Sequence, residues 1–306
     1  MNLKPENQTK LYGLNNQLIE FIELYHKERL PNKILLSGSK GIGKSTLSYH
    51  LINYVLSIGE ENSYDISNSM INIKNSSFKL IQNKSSPNFT LIDVNLKKKS
   101  IDISQIRDLI TNMNKSSFNS KPRFVLIDNI EFLNLNSINA LLKILEEPTF
   151  NTFFILINNN KRVLPTIKSR CLDYKITITN KISNDICNRL LDEDIYNLIN
   201  KDLLDYYFTP GKIYNLINFS KENDIDLKAF RLKDLLLLII NESYYKNDVS
   251  FKFIIYDLIE LFLLNKFTFE NSNFFTYFIN RLEKIRKFNL DEESLFLELK
   301  TKLLNG

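Results

Sequence analysis

The residues of this chain best suited to chemistry begin with GSKGIGKST, residues 38–46, where Gly38, Gly43, Lys44 and Ser45 meet the spacing G-x-x-x-x-G-K-[ST]. Glycines let such a loop wrap with its amides pointing inward, and a helix that starts at its end adds partial positive charge where phosphates sit. Lys44 is then placed to neutralise β- and γ-phosphates, and the Ser45 hydroxyl to ligate Mg²⁺. Ser39, Lys40, Gly41, Ile42 and Thr46 complete the loop. A second candidate is Asp128, which ends the apolar run FVLI and suits a Mg²⁺ ligand acting through water. An Asp there also suits capping of the following turn. The next residue is Asn129. A carboxamide orients water but accepts no proton from it, so hydrolysis that relies on a carboxylate here should be slow or absent. Glu131 follows two positions on and shares a face with Asn129 only if the strand continues.

These groups need a scaffold, and the first half of the chain alternates two periods. KILLSG (33–38), FTLIDV (89–94), FVLID (124–128), FFILI (153–157) and DYKITI (173–178) are near-continuous apolar runs, as in a parallel sheet covered on both faces. Between them, Leu18, Phe21, Ile22 and Tyr25, and again Ile138, Leu141, Leu142 and Leu145, make helical stripes, and Pro148 stops the second. This is βαβ organisation. Residues 59–88, rich in Ser, Asn and charge, read as a loose insertion. Beyond about residue 180 the β signals vanish and the pattern is helical, with TPGKIYNLINF (209–219) a turn entering a helix.

Composition excludes several classes. With 306 residues, 43% hydrophobic and 25% charged, the chain reads as globular and of more than one domain. Its longest apolar run, LLLLII at 235–240, is far too short to span a bilayer, so no membrane role and a cytoplasmic location are expected. Two cysteines, Cys171 and Cys187, and two histidines build neither a disulfide framework nor a four-ligand zinc site. Cys171 reads as a small apolar residue without a neighbouring base. The net charge of +5 accompanies a general richness in Lys, Asn and Ile, and the KKK run at 97–99 reads as a solvated loop. LLLLII and NFFTYFINRL (273–282) suit a helical core or subunit contact.

NSINALLKILEEP (136–148) directly follows the Asp128 strand, and LINNNKRVLPTIKSRC occupies 156–171. The pair resembles the clamp-loader branch of the AAA+ ATPases, and within it the delta-prime type of bacterial DNA polymerase III. LYGLNNQLIEFI (11–22), containing Tyr12, is similar to the family's adenine-side segment. The likeness covers about the first 180 residues, and the helical remainder agrees in length and class. It implies an α/β P-loop AAA+ domain with a parallel sheet over residues 1–179, a helical lid over 180–222 and an all-α collar over 223–306.

Taken alone, Arg170 reads as a local ion pair at the entrance to a strand. The resemblance instead makes Arg170, flanked by Ser169 and Cys171, an arginine finger that reaches the γ-phosphate held by a neighbouring subunit. It also makes Asn158, or Asn159 one position on, the polar residue that senses the γ-phosphate, and Lys212 a lid contact to phosphate. Implied cofactors are ATP and Mg²⁺. Implied partners are the tau/gamma and delta clamp-loader subunits and, through the complex, the sliding clamp and primed DNA. The family's Cys-rich zinc module is absent from 59–88, while the phosphate loop, which delta-prime members can lose, is intact. Two other functions are compatible with the loop: the motor (tau/gamma-type) ATPase, against which Asn129 and the short C-terminal region argue, and a P-loop kinase of small substrates, which leaves LPTIKSRC unexplained.

Overall fold

Five strands form one parallel sheet in the order β2-β3-β4-β1-β5, where β1 is Lys33–Ser37, β2 Phe89–Ile92, β3 Arg123–Ile127, β4 Thr152–Asn158 and β5 Leu172–Lys175. The structure, a computed structural model, describes residues 4–94, 100–113, 119–147, 150–159, 163–204, 208–246, 249–266, 272–288 and 290–304. The KKK run at 97–99 and Pro148 lie outside them.

Register places Ser37 of β1 beside Asn158 of β4, and Ile127 of β3 beside Leu156. The chain thus leaves β1, runs out to the edge at β2 and returns through β3 and β4, so β4 separates the two strands whose ends carry Lys44 and Asp128. Alternate residues face opposite sides of a strand. Leu35, Val125, Ile127, Phe154 and Leu156 share one core with α4 (Ile103–Met113) and α5 (Leu135–Glu146). On the other side Phe153 meets Tyr25 of α1 (Asn15–His26) at 6.2 Å, and Phe89 meets Tyr49 of α2 (Lys44–Leu56) at 5.5 Å. Helices on both faces explain why the central strands read as unbroken apolar runs. The edge strand β5 is mostly exposed and begins one residue before the DYKITI run, although Ile176 and Ile178 are buried beyond it.

Cations at strand entrances tie the layers together. Lys33 Nζ donates to Leu145 O at 3.0 Å, Arg123 Nη1 to Met113 O at 2.8 Å, and Lys121 Nζ to Leu56 O at 2.6 Å. Each satisfies a carbonyl in the last turn of a helix, where the dipole favours positive charge.

Residues 59–88 are not the loose insertion that their composition suggests. Tyr64, Ile71, Phe78 and Ile81 are buried, and α3 (Ser76–Gln82) is capped by Asn75, whose side chain accepts from Phe78 N. The polar residues form bonds among themselves: Asn53 Nδ2 donates to Asn75 Oδ1 at 3.1 Å, and Glu60 accepts from Ser77 Oγ and Lys121 Nζ. His50 lies between Tyr64 Oη and Gln8 O, and burial pushes its pKa down to about 4, so it is neutral.

The chain divides into two compact units, residues 1–179 and 180–306. In the second, α7 (Asn180–Leu191), α8 (Ile195–Leu198), α9 (Lys201–Leu204), α10 (Pro210–Glu222), α11 (Leu232–Asn241), α12 (Val249–Asn265), α13 (Ser272–Phe288) and α14 (Glu293–Leu299) share one hydrophobic core. That core takes in Cys187, Ile213, Leu235, Leu236, Ile239, Leu258, Phe278 and Phe296, and so runs across residue 222 without a break. Phe274 and Tyr277, from the aromatic-rich run, are exposed. No helix among the described residues is long and apolar enough to cross a membrane.

Candidate nucleotide-binding site

Residues 38–43 form the turn between β1 and α2 at the carboxyl edge of the sheet, where ligands of open α/β sheets bind. Gly41 and Gly43 have φ of 87° and 93°, conformations that Cβ-bearing residues rarely adopt. At Gly38 the constraint is space: a Cβ there would sit 2.4 Å from Ile176 O and 2.7 Å from Ile42 Cδ1. Gly38→Ala should therefore lower stability by about 1–3 kcal/mol, read as a shifted denaturant midpoint, because the Ile176 backbone that pairs with Ser37 O must move. Leu14, buried in the segment that carries the half-buried Tyr12, lies against the same loop, 3.5 Å from where a Cβ on Gly43 would sit. Lys44 is buried, and its ammonium donates to Gly38 O at 2.9 Å and Ser39 O at 2.7 Å, inside the curve of the loop. The cradle therefore fits a phosphate chain: glycines where side chains are barred, a helix N-terminus, and a cation facing inward.

Asp128 stands just past β3 and accepts hydrogen bonds from the Ser45 side chain and from Asn129 N. This joins the two side chains that the sequence offers for Mg²⁺. The strand does not continue: Asn129 takes the left-handed conformation, φ 57° and ψ 48°, and a 3₁₀ turn spans Ile130–Phe132. Asn tolerates that conformation far better than most residues. Its carboxamide is engaged at both ends, donating to Asp93 Oδ1 at 2.8 Å and accepting from Asn159 Nδ2 at 2.8 Å. Asn159 also donates to Glu131, from Nδ2 at 3.0 Å and from the backbone at 3.4 Å. Asn158 is buried at the end of β4, and its carbonyl accepts from Gly38 N at 3.3 Å, tying that strand end to the loop.

A family model described as "DNA polymerase III, delta subunit" matches residues 13–180, more than half of the chain. The chain belongs to this family. Among curated relatives, it is 28% identical over 200 residues to DNA polymerase III subunit gamma of Buchnera aphidicola subsp. Schizaphis graminum, covering 64% of this chain and 49% of that one. It is 38% identical over 87 residues to subunit delta' of Pseudomonas aeruginosa, 28% of this chain and 26% of that one. To subunit delta' of Buchnera aphidicola subsp. Baizongia pistaciae it is 28% identical over 183 residues, 58% of this chain and 51% of that one. The chain thus spans from about a quarter to about half of the length of these relatives. A solved DNA polymerase III gamma subunit-related protein from Thermotoga maritima aligns with a TM-score of 0.49 at 17% identity, over 92% of this chain and 96% of that one.

In this DNA polymerase III delta-subunit family member the cradle brings a buried cation and a buried carboxylate within each other's field. Burial lowers the Lys44 pKa to about 8, with Asp128 and Glu131 pulling it back up. Burial, then the charge of Asp93, raises the Asp128 pKa to about 6 against the opposing pull of Ser45, Asn129 and Lys44. Ser45 and Asp128 are the side chains that would hold a Mg²⁺ ion, which would offset the charge of a bound phosphate chain. Because Asp128 takes up a proton as pH falls through about 6, Mg²⁺-dependent nucleotide affinity should fall between pH 7.5 and 5.5. Titrations with and without chelator check this, and Asp128→Asn should abolish the Mg²⁺-dependent part of the loss, while Lys44, with its pKa of about 8, gains charge over the same range and acts the other way.

Arg170 lies elsewhere in the same unit. It follows α6 (Pro165–Lys168) and precedes β5, whose Leu172 pairs with Ile34 near the start of β1. This family member therefore carries its arginine at the amino edge of the sheet and its phosphate loop at the carboxyl edge, about 15 Å apart along a five-residue strand. The guanidinium is partly exposed, with side-chain exposure of 32%, and is held by Glu146 Oε1 (Nη2 at 2.5 Å, Nε at 3.1 Å), Thr166 O and Ser169 Oγ. The local ion pair read from the sequence is present, and the arginine also has a face to solvent. Lys212, in the first turn of α10, is paired with Asp257 at 2.9 Å within the helical unit. Cys171 is half-buried, and burial pushes its thiol up to about 11, out of the range of a nucleophile.

Asp93 was not among the residues the sequence singles out, and for Glu131 the sequence left open which way the side chain faces. Asp93 had a signal: FTLID ends as FVLID does, with a carboxylate leaving a strand at the same edge of the sheet.

Proposed function

We propose that this chain is a clamp-loader subunit of the delta-prime type, which binds ATP with Mg²⁺, turns it over slowly and lends Arg170 to the nucleotide held by an adjacent ATPase subunit. The observation that carries the reading is the separation between Arg170 and the phosphate loop of its own domain, a full strand length at opposite edges of the sheet. A guanidinium so placed has no path to the γ-phosphate of its own site, yet it is partly exposed and so available to a neighbour.

The slow turnover follows from Asn129. Its carboxamide is bonded at both ends, and nothing at that position takes a proton from water. Residues 180–222 would act as a lid and 223–306 as a collar that shares one core with it, the collar joining tau/gamma and delta subunits, whose ATP cycle opens the sliding clamp and loads it on primed DNA. Such a role belongs in the cytoplasm.

The motor reading is favoured by one observation, the intact cradle with Lys44 and the Ser45–Asp128 contact in place. Steady-state ATPase of the purified chain separates the two. The delta-prime reading expects turnover well below about 1 s⁻¹; faster turnover that Lys44→Ala abolishes would establish the motor.

A further inference from the structure

We propose that Glu131 is the catalytic carboxylate of this site, orienting the attacking water and taking its proton in place of the residue after Asp128; the proposal rests on the nucleotide-binding reading above. The geometry points to it in three ways. Because β3 ends at Ile127 and Asn129 turns left-handed, the 3₁₀ turn carries Glu131 out of line with the strand. The side chain is then fixed from the β4 side, by the backbone and carboxamide of Asn159. Strand β4 lies between β3 and β1, so this is the side on which the phosphate loop stands. Asp93, the other carboxylate of the cluster, belongs to the outer flank beyond β2 and holds Asn129 from there. Finally, Glu131 is close enough to Lys44 for its charge to act on the buried ammonium, which places it within the field of the groups that would hold the γ-phosphate.

The roles then divide by position. Asn129 and Asn159 are positioning residues: one bridges Asp93 to Asn159, and the other passes that constraint to Glu131. In the step itself the water oxygen forms a bond to the γ-phosphorus as the bond from that phosphorus to the bridging oxygen breaks, and ADP leaves with the electron pair. One water proton stays on the inorganic phosphate formed, and the other passes to the Glu131 carboxylate and then to solvent. A carboxylate displaced by two positions from the usual place and restrained by Asn159 accounts for slow hydrolysis without abolishing it.

The test is single-turnover ATP hydrolysis by the full chain in excess over nucleotide, with Mg²⁺, beside the affinity for a fluorescent ATP analogue and a thermal melt. Glu131→Gln keeps the shape and removes the base. It should lower the rate above the Lys44→Ala background by about tenfold or more, with analogue affinity and melting temperature unchanged. Hydrolysis by Glu131→Gln at the wild-type rate overturns the proposal. So does a wild-type chain that binds the analogue and hydrolyses ATP no faster than Lys44→Ala. A wild-type chain that fails to bind the analogue brings down the nucleotide-binding reading itself, and this inference with it.

Discussion

Lys44→Ala should lower affinity for Mg²⁺-ATP by on the order of 10²-fold or more, because it removes a buried cation from the centre of an anion cradle. The fold should tolerate the change. For this base the folded-state value, about 8, lies below the ordinary 10.5, so the buried charge opposes folding at pH 7 and that cost vanishes only above the unfolded value. Removing the ammonium therefore removes a penalty along with its two bonds to loop carbonyls. Equilibrium titration with a fluorescent nucleotide measures the first effect and chemical denaturation the second. A variant that binds nucleotide as wild type would show that the loop serves some other purpose.

The second large effect concerns Arg170. In a complex reconstituted with tau/gamma and delta subunits, Arg170→Ala should cut the hydrolysis stimulated at the neighbouring site by about 10³-fold or more, the scale on which arginine fingers act. Stability should hardly change. The Arg170–Glu146 pair is partly exposed on both sides, and pairs of that kind contribute at most about 1 kcal/mol. Arg170→Lys should rescue little, since a single ammonium lacks the planar fork that meets two phosphoryl oxygens at once. In the proposed role, the Glu146 carboxylate would hold the guanidinium until a neighbour's phosphate competed for it.

What could be read from the chain itself was whatever depends on short spacing. The strand, glycine turn and helix around Lys44, the apolar run into Asp128 and the helical stripe of α5 are local patterns, and the parallel sheet followed from their alternation. What escaped depends on contacts between distant residues. Residues 59–88 look solvated because Ser, Asn and Glu usually are, yet here Asn53, Asn75, Glu60, Ser77 and Lys121 bond to one another across long sequence separations. Asn129 reads as a lost carboxylate until its partners Asp93 and Asn159, far away in sequence, are seen on either side of it. The left-handed turn at Asn129 was locally encoded, by a residue type that accepts it, and so was Asp93, by FTLID ending as FVLID does.

The division of labour between the two edges of the sheet is tested most directly by a chain carrying Lys44→Ala, assembled with competent ATPase subunits. With its own cradle disabled, this chain should still support the stimulated ATPase of the complex, and the double variant Lys44→Ala, Arg170→Ala should reduce that rate to the level of the complex without a finger. Equal rates for the single and double variants would show that Arg170 does not act on a neighbour's nucleotide.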